Sequence, residues 1–121
     1  MAERILFVDD EARILDALSE FFIDCGYEVD CALTTDLAKS LLSDHSYLAV
    51  VSDISFSGLE GREGLDLIDH VCNHCSLTPV IVLTAHVSND LEGEARRRGA
   101  SAFLTKPASL IDLEAMLRSF A

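Results

Sequence analysis

Five short apolar runs, each followed by a segment of helical period, leave this 121-residue chain few ways to fold. The most constraining is Leu48-Ala49-Val50-Val51-Ser52-Asp53, continuous, rich in branched residues and closed by a carboxylate. A run without polar alternation suits a strand buried on both faces, which means a parallel sheet covered by helices. Arg4 to Asp10, Tyr27 to Ala32, Pro79 to Ala85 and Ser101 to Thr105 read as the other four strands.

Between the runs the apolar period changes from continuous to helical. From Glu11, the residues Ile14, Leu15, Leu18, Phe21, Phe22 and Cys25 define one face, and Gly26 supplies the stop. Thr34-Thr35-Asp36 offers N-cap residues to a second helix with Leu37, Leu41 and Leu42 inward. The third carries Leu65, Ile68, Val71, Cys72 and Cys75 on one side. The fourth starts at Ser88 and is weaker. It has only Leu91 and Ala95 as its stripe, Gly93 inside it, and Arg96-Arg97-Arg98-Gly99 as a solvated end. Ser109 and Asp112 have capping-box spacing and open a fifth helix with Leu110, Leu113, Leu117 and Phe120 inward. Right-handed crossovers then give a doubly wound α/β fold: a five-stranded parallel sheet, five helices, and one domain over residues 1–121.

Composition narrows the function. A net charge of -12 argues against direct nucleic-acid binding, because phosphate repels an acidic surface. No apolar run reaches the roughly 20 residues of a membrane helix, and the N-terminus lacks a signal-peptide layout, so a cytoplasmic location is expected. The four cysteines, Cys25, Cys31, Cys72 and Cys75, read as reduced, buried thiols. His70 to Cys75 has the residue types of a metal or redox motif. Zinc, however, wants a second ligand pair, and the stripe assigns Cys72 and Cys75 to packing.

In an open α/β sheet, ligands gather beyond the carboxyl ends of the strands. Those ends here deliver Asp9, Asp10 and Asp53, the Thr84 hydroxyl and the Lys106 ammonium. Two unit charges about 4 Å apart interact by roughly 4 kcal/mol at an effective dielectric near 20. Three ionised carboxylates therefore call for a cation among them, and a hard divalent ion such as Mg²⁺ suits oxygen ligands. A metal, a lysine, a hydroxyl and a spare aspartate suit phosphoryl transfer onto that aspartate.

Val8-Asp9-Asp10-Glu11, the strand-end Asp53, Thr84-Ala85 and Phe103-Leu104-Thr105-Lys106-Pro107 together resemble the receiver domain of bacterial two-component response regulators. The resemblance spans essentially the whole chain and implies the flavodoxin-like strand order 2-1-3-4-5. It implies that a histidine kinase or histidine phosphotransfer protein phosphorylates Asp53, and that the chain is a phosphoacceptor rather than an enzyme. Asp9, Asp10, Asp53 and the backbone carbonyl of Ser55 would hold Mg²⁺, with Mn²⁺ an allowed substitute. Thr84 and Lys106 would bind phosphoryl oxygens, and Lys106-Pro107 would be a cis peptide. Thr84 and Phe103 would switch the surface of the fourth helix, fifth strand and fifth helix. That surface would act on an output domain or downstream protein, or support a phosphorylation-dependent homodimer.

The chain also departs from the family. Ser57 stands where receivers commonly have proline, and the glycine-rich loop after Asp53 is a few residues longer than the family's, with Gly64-Leu65 aligned to the family's Gly-Leu. Ser55 and His86 occupy positions that in the family tune phosphoryl lifetime; the plainer reading of His86 is an exposed loop histidine. Two rival functions stand beside the switch. One is a phosphatase working through an aspartyl-phosphate, which would want a dedicated general acid. The other is a receiver-like interaction module that does not turn over phosphate.

Overall fold

Strand residues with nothing polar to offer on either side go to the middle of the molecule, and the layers follow from that. The structure, a computed structural model, describes residues 3–53, 62–84, 89–106 and 109–121. The elements alternate along the chain: β1 (Arg4–Val8), α1 (Ala12–Asp24), β2 (Glu28–Ala32), α2 (Thr35–Asp44), β3 (Ala49–Ser52), α3 (Arg62–His74), β4 (Val80–Thr84), α4 (Asn89–Arg98), β5 (Ala102–Thr105) and α5 (Leu110–Arg118). All strand pairs are parallel and the sheet order is β2-β1-β3-β4-β5, as the resemblance implies.

Alternation along each strand splits the core in two. Leu6, Val8, Val50, Val80 and Val82 face α2, α3 and α4, meeting Ala38, Leu42, Leu65, Ile68, Val71 and Ala95. Ile5, Phe7, Ala49, Val51, Ile81 and Leu83 face α1 and α5, meeting Leu15, Leu18, Phe22, Leu113 and Leu117. Phe7 and Phe22, both nearly or fully buried, bring their rings to 5.2 Å and lock α1 onto the sheet.

Local chemistry sets the helix ends. The Thr34 side chain accepts from the Leu37 N–H and that of Ser109 from the Asp112 N–H, as the sequence predicts. Gly26 and Gly99 close α1 and α4 with φ of 99° and 116°, a region that penalises any Cβ.

Four details correct the sequence reading. Leu37 is exposed, and α2 instead buries Thr35, Ala38 and Leu42, a stripe with a threonine in it. Phe120 lies beyond the end of α5 and is exposed, so the inward stripe stops at Leu117. The thiols are free but not buried: Cys25 is exposed, and Cys31, Cys72 and Cys75 are half-buried. The end of α4 is more than a solvated cation cluster. Arg98 reaches α3, with Nη1 2.7 Å from Asp69 and 3.4 Å from Asp66, while Arg96 and Arg97 pair within α4.

Candidate functional site

Strand register brings the site together before any side chain is considered. Val8 pairs with Ser52, so Asp9 and Asp53 follow their strands side by side. The ladder runs one residue further at that edge: the Asp53 N–H donates to the Val8 carbonyl at 3.0 Å, and the Asp9 N–H to Ala32 at 3.1 Å. β4 and β5 extend further out, with Thr84 opposite Thr105 and the Lys106 N–H bonded to the Thr84 carbonyl at 2.8 Å. By parity Asp9, Asp53 and Lys106 belong to the α1 and α5 side, with Phe7, Val51 and Leu104. Thr84 and Phe103 belong to the other side, with Val82.

The Lys106 stem leans back across β4. Its Nζ donates to Asp9 Oδ2 at 2.7 Å and to Asp53 Oδ2 at 3.0 Å. Asp9, Asp53 and Thr84 are buried, and Lys106 is largely so. Burial works against the ammonium, but its hydrogen bonds to the two carboxylates outweigh that and hold its pKa above the ordinary lysine value. The other oxygen of Asp9 accepts from the Glu11 N–H at 3.0 Å, which fixes the carboxylate at the start of α1.

Asp10 is exposed beside this pair. Carboxylate oxygens of Asp9, Asp10 and Glu11 lie within 4.8 Å of one another, the one such group of potential metal ligands among the described residues. Hard oxygen donors at that spacing fit Mg²⁺, Mn²⁺ or Ca²⁺ rather than a soft metal. Glu11 is the member to which the sequence reading gave no role. It stood inside the quoted acidic motif, but its place at the head of a helix pattern made it look like a helix opener. The structure thus joins Asp9, Asp53 and Lys106, sets Asp10 beside them, and puts Thr84 at the same sheet edge. Phe103 is half-buried against the α2–α4 cluster. Ser55, Ser57, His86 and Pro107, with their expected carbonyl ligand, loop effect, lifetime tuning and cis bond, lie outside the described residues.

A family match now decides what this geometry belongs to: residues 5–118 match the response regulator receiver domain. The chain is a member of that family. This receiver is 32% identical over 118 residues to the response regulator protein FleR of Pseudomonas aeruginosa, covering 95% of this chain and 24% of that protein. It is 35% identical over 111 residues to the transcriptional regulatory protein PdtaR of Mycobacterium tuberculosis, covering 91% and 52%. The receiver therefore spans between about a quarter and half the length of these curated relatives. Among solved structures, a CheY-like receiver from Methanospirillum hungatei superposes with a TM-score of 0.91 at 25% identity, covering 98% of this chain and 93% of that one. The beryllofluoride-activated NtrC4 receiver domain dimer gives 0.86 at 30% identity, covering 97% and 94%. Receivers of this family serve phosphorylation-dependent signalling, and this chain shares their fold and strand-end acids. No helix among the described residues is long and apolar enough to cross a membrane.

Proposed function

We propose that residues 1–121 act as one phosphoacceptor domain in which Asp53 takes a phosphoryl group from a phosphohistidine. The donor is a histidine kinase or a histidine phosphotransfer protein, in the cytoplasm. The observation that carries this reading is the Lys106 ammonium, 3.0 Å from Asp53 and 2.7 Å from Asp9, at a sheet edge that Thr84 also reaches. An oxygen of the Asp53 carboxylate attacks phosphorus, and an O–P bond forms as the donor's P–N bond breaks. The imidazole, protonated on its other nitrogen, leaves neutral with the bonding electrons. Lys106 pairs with the charge on the transferred oxygens. Asp9 and Asp10, with Asp53 and the Ser55 carbonyl, would hold Mg²⁺ or Mn²⁺, which when bound offsets phosphoryl charge. Nothing here requires a dedicated acid, which favours a single-turnover acceptor over a phosphatase.

The output follows from placement. An acyl-phosphate at Asp53 adds acceptor oxygens and negative charge beside the Thr84 end of β4. Thr84 turns its hydroxyl to them, Phe103 on the same face moves inward, and the surface of α4, β5 and α5 changes for an output domain, a downstream protein or a second copy. Dimerisation of the activated NtrC4 receiver supports the last of these as one form of output. Ser55 and His86 are the candidate positions for tuning how long the phosphoryl group survives.

Acetyl phosphate with Mg²⁺ tests the reading. We expect one labile phosphoryl group per chain by intact mass, and none in Asp53→Asn. Sustained phosphate release without accumulation would make the protein a phosphatase. No labelling at all would leave a receiver-like interaction module.

A further inference from the structure

The row of side chains just inside the acid edge contains one polar group that the packing does not pair. Ser52, the last residue of β3 and the neighbour of Asp53, is 1% exposed. Among the described residues its Oγ is the one buried side-chain nitrogen or oxygen without a hydrogen-bond partner. A hydroxyl withdrawn from water and given nothing in return is costly, and such groups are rare in folded proteins. Its surroundings account for the lack. Ser52 is in register with Val8 on one side and Val82 on the other, and Val82 with Phe103. Side chains in register share a face, so Ser52 lies on the α2–α4 side in a row whose other members have no polar side-chain atom. One step outward on that face, β1 leads to Asp10, which is exposed, and β4 ends in Thr84, which is fully buried.

We propose that Ser52 is a positioning residue of the switch: when Thr84 turns its hydroxyl to the phosphoryl group on Asp53, the Ser52 O–H donates to the Thr84 oxygen. This inference rests on the phosphoacceptor reading of Asp53. The count of protons and lone pairs favours it. A threonine hydroxyl has one proton to give and two lone pairs. Spending the proton on a phosphoryl oxygen leaves the Thr84 oxygen able to accept, and Ser52 holds an unspent proton on the same face of the adjacent strand. A donor at one side of a hydroxyl also strengthens the bond that hydroxyl makes at its other side. The unphosphorylated form thus carries an unmade hydrogen bond that the phosphorylated form completes. Ser52 thereby narrows the free-energy gap between the two forms without touching the reacting atoms.

Beryllofluoride in saturating Mg²⁺ serves as the phosphoryl probe, its affinity read by calorimetric titration. Ser52→Ala is expected to bind it roughly 5-fold more weakly than the parent, the worth of one net hydrogen bond. In a Thr84→Val background, which lacks the accepting oxygen, the Ser52→Ala change should cost nothing further. Without the probe, Ser52→Ala should melt no lower than the parent, because it deletes a hydroxyl that has no partner there. Acetyl phosphate labelling separates this inference from the reading beneath it, since parent and Ser52→Ala should each take one phosphoryl group. Failure to label the parent would remove both. With the parent labelled, the inference alone is overturned by any of four results. They are Ser52→Ala binding beryllofluoride as the parent does, its deficit persisting in Thr84→Val, its melting lower without the probe, or its refusing the label.

Discussion

Lys106 sets one ammonium within hydrogen-bond reach of two carboxylates, in a place where all three groups are mostly withdrawn from water. Deleting one partner of a buried ionic group costs about 3 kcal/mol or more, because the charges left behind lose both their solvent and their counter-ion. Lys106→Ala is therefore expected to lose about 3 kcal/mol in urea melts without divalent ions, and less in excess Mg²⁺, which would take over the neutralisation. An equal loss in both buffers would mean the acids do not share a cation site. A second residue-scale case lies on the β2 side of the sheet. Burial pushes the Asp30 carboxyl up, but hydrogen bonds from the Tyr47 hydroxyl at 2.7 Å and Arg4 at 3.0 Å outweigh it and hold the pKa below the ordinary value. A depressed folded pKa gives stability that is complete above the unfolded value, near 3.9, and is lost as pH falls through the folded one. Asp30→Asn should thus lower stability at neutral pH and flatten its decline below about pH 4, as read from urea midpoints against pH. The Lys106 pair was legible in the sequence, since strand-end position alone brings it to the edge. The Asp30 network was not, because its partners lie 17 and 26 residues away and depend on how long side chains fold over.

Caps and glycine stops were legible at the scale of elements because they are local: Thr34, Ser109, Gly26 and Gly99 act on their own helix ends. The tie from α4 to α3 through Arg98 was not, because three arginines in a row look alike until one meets an acid on another helix. α4 holds few buried groups, with Ala95 fully buried and Leu91 half-buried, so its stability rests heavily on backbone and ion pairs. Its two glycines should respond oppositely to alanine. At Gly93 an added Cβ meets only the mobile end of Arg97 at 3.2 Å, and Gly93→Ala should stabilise by up to about 1 kcal/mol. At Gly99 the Cβ would lie 2.5 Å from the Cys72 sulfur with φ at 116°, so Gly99→Ala should destabilise by more than about 1 kcal/mol. Thermal melts of the two variants check both signs. Matching signs would mean that α4 is held by something other than its own backbone.

Across the whole molecule, the sheet has a buried centre and a lighter margin. β1, β3 and β4 are buried almost throughout, whereas β5 is half-exposed and α4 thinly packed. Asp9 follows β1 and Asp53 follows the central strand, β3. Phe103 lies on the edge strand β5, beside the Thr84 end of β4, on the face that α4 covers. A charge placed at Asp53 therefore acts from the stiffest part of the fold on a less stable part, the arrangement a small electrostatic event can bias. Amide exchange should be faster in α4 than in β1, β3 and β4 in the free protein. Beryllofluoride with Mg²⁺ should change protection in α4, β5 and α5 while leaving β1 as it was. Exchange in α4 as slow as in the central strands, with and without the phosphoryl mimic, would mean that this margin is no weaker than the core. The signal would then have to leave by another surface, since a site on rigid strands can move only neighbours whose native packing is already close to giving way.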